Sequence, residues 1–80
     1  MNVLIVEDDE AIASLLYMDL SDEGYRCSIA HDGISAAQML ELNEKYDLVL
    51  LNIMLPGING YELLEYVKPA GIPVIFITAN

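Results

Sequence analysis

The sequence predicts an α/β fold, a doubly wound parallel sheet in the order β-α-β-α-β-α-β with spatial strand order 2-1-3-4. Three observations carry this expectation. The apolar runs Val3–Val6, Leu48–Leu51 and Val74–Ile77 do not alternate with polar residues, which is the pattern of strands buried under helices on both faces. Between them lie stretches with apolar residues at helical spacing. Connections built this way join parallel strands by right-handed crossovers.

The elements follow in chain order. Val3–Val6 ends abruptly in Glu7-Asp8-Asp9-Glu10, so a buried strand runs into an acidic loop. Ile12, Leu15, Leu16 and Leu20 then mark a helix, with Asp9 placed to cap it and Gly24 to stop it. Tyr25–Ala30 alternates, Arg26 and Ser28 on one side, Cys27 and Ile29 on the other. One wet face suits a sheet edge, and this sets the order 2-1-3-4. Asp32-Gly33 punctuates, and Asp32 can cap a second helix running to about Lys45 through Ile34, Ala37, Met39 and Leu40. Asp47 leads into the central strand, which ends on Asn52 before Pro56-Gly57 breaks the chain. Asn59 and Glu62 have the spacing of a capping box, with Asn in place of Ser or Thr. The third helix carries Leu63, Leu64 and Val67 and stops near Pro69. Pro73 precedes Val74–Thr78, a last strand of the buried type.

Eighty residues make one small domain, and 55% of them are apolar. No apolar run approaches the roughly 18 residues of a membrane span. Met1-Asn2-Val3 carries no basic region or cleavage pattern, so the expectation is a cytoplasmic protein. Three basic residues (Arg26, Lys45, Lys68) against thirteen acidic ones give a net charge of −10. That argues against direct nucleic-acid binding, which needs clustered Lys and Arg. It accommodates a cation site or a basic partner, and scattered acids also serve solubility alone. Cys27 is the single cysteine, which excludes a disulfide framework and reads as a buried reduced thiol.

The strand order brings Glu7, Asp8 and Asn52 to adjacent carboxyl ends, where open α/β sheets place their sites. Two carboxylates and an amide oxygen suit a hard cation such as Mg²⁺. Capping and the helix dipole account for Asp9 and Glu10. They account poorly for Glu7 and Asp8, which directly follow a buried strand. Thr78 ends a strand at the same pole, as an ordinary strand terminus would. There is no Gly-rich phosphate loop. His31 has no Cys or second His to share a metal with and reads as a loop residue; Lys68-Pro69 reads as a helix C-terminus.

Val3-Leu4-Ile5-Val6-Glu7-Asp8-Asp9, Asp47 through Gly57 and Val74–Ala79 resemble the receiver domain of bacterial two-component response regulators. The resemblance runs over essentially the whole chain, in order. It implies a flavodoxin-like fold and a phosphoryl group taken from a histidine kinase. By that resemblance, Glu7 and Asp8 match the acidic pair that binds Mg²⁺, with Asn52 beside them. Met54 matches the position whose backbone carbonyl completes the metal shell, and Thr78 the switch hydroxyl.

Two departures stand against the match. The family's phosphoacceptor is an aspartate and this chain has Asn52, whose neutral amide is a poor nucleophile. The sequence also stops after the fourth strand, whereas the family continues through a helix, a fifth strand and a final helix. The family's phosphoryl-contacting lysine belongs to that continuation, and Lys68, which precedes the fourth strand, is not its equivalent. The reading is therefore a partial receiver domain over residues 1–80, a signalling module not phosphorylatable at the usual position. A second reading is a pseudo-receiver used for dimerisation. A third, a Mg²⁺-dependent phosphotransferase of the haloacid dehalogenase class, expects Asp-x-Asp after the first strand. Here Glu7-Asp8-Asp9 has a carboxylate at every position and no Thr following. Val74–Thr78, uncharged and β-prone with no fifth strand beside it, predicts a homo-oligomer, most simply a two-fold dimer.

Overall fold

A computed structural model describes residues 1–42, 45–53, 55 and 60–77, apart from the side chains of Tyr66 and Ala70. In chain order the elements are β1 (Asn2–Val6), α1 (Glu10–Asp22), β2 (Arg26–Ala30), α2 (Gly33–Leu42), β3 (Leu48–Asn52), α3 (Gly60–Val67) and β4 (Val74–Ile77). The sheet is parallel throughout, in the order β2-β1-β3-β4. The predicted architecture and strand order are those observed.

Alternation along the strands divides the interior into two layers. Leu4 and Val6 of β1 and Val49 and Leu51 of β3 pack with Ala36, Ala37 and Leu40 of α2 and Leu63 and Val67 of α3. Val3 and Ile5 point to the opposite face and are equally buried, as is Ala13 of α1, which lies over β1 and β2. Asp9 caps α1 as expected, its carboxylate accepting from the Ala11 and Ile12 N–H groups at 2.9 and 3.1 Å. Gly24 follows the helix end with φ +93°, a conformation in which a side chain would be strained. α3 ends at Val67, and Lys68–Ala70 tighten into a 3₁₀ turn containing Pro69.

Several expectations need correction. The described part of α2 runs to Leu42, and Lys45 lies in a turn. Leu15 of α1 and Ile34 of α2 face water, 61% and 52% exposed, while Ala13 and Ala36 take the buried positions. Small side chains let the helix backbones approach the sheet closely, so the large ones are turned outward. Cys27 is only half-buried, on a strand that ends the sheet and has a neighbour along one edge alone among the described residues. β4 is not buried on both faces: Ile75 is 54% and Phe76 38% exposed. Among the described residues β4 pairs only with β3.

Candidate functional site at the carboxyl ends of β1 and β3

Parallel pairing of Val6 with Leu51 sets the next residues of the two strands, Glu7 and Asn52, side by side at one pole of the sheet. The Glu7 N–H extends the ladder to β2, donating to the Ala30 carbonyl at 3.0 Å. Glu7 is 1% exposed and Asn52 5%, while Asp8 reaches solvent. The two groups at the strand ends are therefore buried polar side chains, which persist only when bonded.

The bonding converges on one nitrogen. Asn52 Nδ2 donates to Glu7 Oε2 at 2.9 Å and to Asp8 Oδ1 at 3.1 Å. Glu7 Oε2 also accepts from the Asp9 N–H at 3.1 Å, which ties the carboxylate to the start of the α1 cap. Glu7 Oε1 is buried and finds no partner among the described residues. His31, read from the sequence as a loop residue, holds the other side of the site. Its Nδ1–H donates to the Glu7 backbone carbonyl at 3.1 Å. The signal for it lay in the strand order. His31 directly follows β2, and β2 neighbours β1, so the residue after Ala30 had to lie beside the acidic loop. Met54, Thr78 and Asn59, expected from the sequence to cap the third helix, lie outside the described residues.

The site thus brings together Glu7, Asp8 and Asn52, as expected. Among the described residues no three His, Cys, Asp or Glu side chains gather to hold a metal; the set is two carboxylates and an amide. Two carboxylate oxygens nevertheless aim at a single point, and the orphaned Glu7 Oε1 lies beside them. This is a hard-oxygen donor set of the kind Mg²⁺ prefers. The residues fit such a cation.

Comparison with known proteins agrees with this geometry. The response regulator receiver domain family matches residues 3–80. The transcriptional regulatory protein YrkP of Bacillus subtilis is 44% identical over 79 residues, which cover 98% of this chain and 33% of that protein. The transcriptional regulatory protein DltR of Streptococcus agalactiae is 43% identical over 82 residues, covering 100% of this chain and 36% of DltR. The chain therefore spans about a third of the length of these relatives. Among solved structures, the N-terminal domain of a response regulator/sensory box/GGDEF 3-domain protein from Carboxydothermus hydrogenoformans superposes with a TM-score of 0.93 at 30% identity. That match covers all of this chain and 66% of the other. Receiver domains are signalling modules that bind Mg²⁺ at an acidic pocket, interact with histidine kinases and often dimerise. With the family match running from Val3 to the last residue and the strand order in agreement, this chain belongs to the response regulator receiver domain family.

Proposed function

We propose that this chain is a receiver module of a two-component system that takes no phosphoryl group at the usual position. The observation that supports this is the state of Asn52. Acyl-phosphate formation needs a carboxylate oxygen at the end of β3 to attack phosphorus. At that position the chain has an amide, and its nitrogen points both hydrogens toward carboxylates. Nothing nucleophilic is offered from residue 52. Glu7 and Asp8, with the Asn52 amide oxygen and the Met54 carbonyl, would hold Mg²⁺, and Thr78 is the candidate switch hydroxyl. When bound, the cation would supply charge neutralisation for an incoming phosphoryl group. With an amide in place of a third carboxylate, its affinity is reduced.

The test is incubation with a small phosphodonor and Mg²⁺, followed by intact-mass measurement. No added phosphoryl mass is expected. A stoichiometric adduct would sink the reading by showing that another residue accepts the group.

A histidine kinase remains the proposed protein partner, and the cytoplasm the proposed compartment. No described helix is long and apolar enough to cross a membrane. The relatives' names support a place in transcriptional regulation, with DNA contacts made elsewhere than on this strongly acidic chain. The second reading, self-association of a pseudo-receiver through the Val74–Thr78 region, is favoured by the exposure of Ile75 and Phe76.

A further inference from the structure

We infer that the Asn52 carboxamide is an internal substitute for the cation: its two N–H groups cross-link Glu7 and Asp8, and a divalent ion has to displace them to bind. This rests on the reading of Asn52 given above and deepens it.

A primary amide has one end that donates two hydrogens and one that only accepts. Facing two carboxylates, only the donating end is tolerated, since the oxygen would set lone pairs against like charge. Nδ2 accordingly lies 2.9 Å from Glu7 Oε2 and 3.1 Å from Asp8 Oδ1. One hydrogen serves each acidic side chain. A cation requires the reverse, with oxygen pointing inward. The two ends are nearly equal in size, so a half-turn of the amide would exchange them within the same volume. The amide cannot satisfy everything. Two hydrogens meet two acceptors, and Glu7 Oε1 is left buried without a partner among the described residues. That oxygen is the one a cation would gain in addition.

An aspartate at position 52 has no hydrogen to offer. It would place a third carboxylate against Glu7 and Asp8, so that pole would depend on a cation for its order. With Asn52 the order is built in. Cation binding is weakened twice, by the missing charge and by competition from the amide.

Relief of charge and cross-linking are separable by experiment. Asn52→Leu is neutral and of similar bulk but donates nothing, whereas Asn52→Asp restores the charge. In thermal melts of the intact chain without divalent ions, both variants are expected to melt lower than the parent, on the order of 10 °C, because hydrogen bonds to charged acceptors are the stronger kind. Mg²⁺ should recover the Asp variant and leave the Leu variant low. A Leu variant as stable as the parent would overturn the inference, since neutrality alone would then account for the site. The parent supplies an independent readout through its Asn52 side-chain N–H resonances. They are expected to exchange slowly with solvent and to shift when Mg²⁺ is titrated in. Rapid exchange, or signals indifferent to Mg²⁺, would overturn it even if the Leu variant did not fold. A phosphoryl adduct in the mass experiment would defeat the functional reading while leaving melts and amide signals unchanged, so the two failures are distinguishable.

Discussion

Gly60 leaves almost no space between the start of α3 and the end of β3. A Cβ on it would stand 2.8 Å from Ile53 Cα, 3.0 Å from the Asn52 carbonyl oxygen and 3.2 Å from that of Ile53. All three are backbone atoms, so no side chain can rotate out of the way. The Gly60 N–H also donates to the Ile53 carbonyl at 2.9 Å, which fixes the approach. Gly60→Ala is therefore expected to cost about 2–3 kcal/mol in a denaturant or thermal melt. It should also move the Asn52 resonances, because the displaced backbone carries that side chain. A variant melting with the parent would show that α3 can shift freely. The role of Gly60 was not legible in the sequence, because close approach of two backbones is a tertiary fact that no local pattern encodes. The convergence of Glu7, Asp8 and Asn52 was legible, because strand ends and strand order suffice to place them. The direction of the amide was not, since an asparagine shows which end donates only once its partners are known.

Among the elements, strands were easier to read than helix faces. An unbroken apolar run such as Val3–Val6, too short for a helix of its own, reads as a strand, whereas α2 carries Ile34, Ala36, Ala37, Met39 and Leu40 almost around its circumference. Spacing then does not choose the buried side. Packing does, and it selects the alanines, which are 0% and 6% exposed, over Ile34. The start of α2 was legible because its signal is local. Asp32 Oδ1 accepts the Ser35 N–H at 2.7 Å, as its position before the helix predicts. That backbone hydrogen bond, first, and the Ser35 hydroxyl, the Ile34 N–H and the positive field of His31 after it, hold the Asp32 carboxyl below its usual value against a smaller opposing effect of burial. A carboxyl whose value is lower folded than unfolded contributes stability that is complete above the unfolded value, about 3.9, and is lost as pH falls through the folded one. Asp32→Asn keeps a capping oxygen and removes the charge. Its stability deficit should be constant from about pH 5 to 7 and should shrink below about pH 4. Urea melts at pH 3, 4 and 7 give the comparison, and a deficit independent of pH would contradict the role of charge in this cap.

For the whole molecule, the consequential feature is the unequal cover of the two faces of the sheet. α2 and α3 close one face, where Val74 packs against the core and Phe76 meets the ring of Tyr61 at 5.8 Å between centroids. On the other face α1 lies over β1 and β2. Register places Ile75 beside Leu50 on that face, and Ile75 is 54% exposed. Tyr61 and Phe76 add exposed aromatic surface at the β4 side, 61% and 38% exposed. The apolar run of β4 and its place at the end of the strand order were both legible, but the run read as a strand buried on both faces; the exposure of Ile75 and Phe76 depends on which helix covers which strand. Each 100 Å² of apolar surface withdrawn from water is worth about 2.5 kcal/mol. A small domain has only about 5–15 kcal/mol of stability in total, so covering even part of this surface changes its balance substantially. Among the described residues the outer edge of β4 is unpaired, and an uncharged strand with no proline in its run is what natural sheets avoid leaving so. The 80-residue chain is therefore expected to associate with a second copy, burying the β4 region of each in a two-fold interface. Light scattering across a dilution series should give a dimer mass that falls toward the monomer only at low concentration. Ile75→Lys, placing a charge in the middle of β4, should shift that transition to at least tenfold higher concentration, since 1.4 kcal/mol is already a factor of ten. A cooperatively folded monomer at micromolar concentration, unaffected by the lysine, would mean that the β4 region is not where copies of this chain meet.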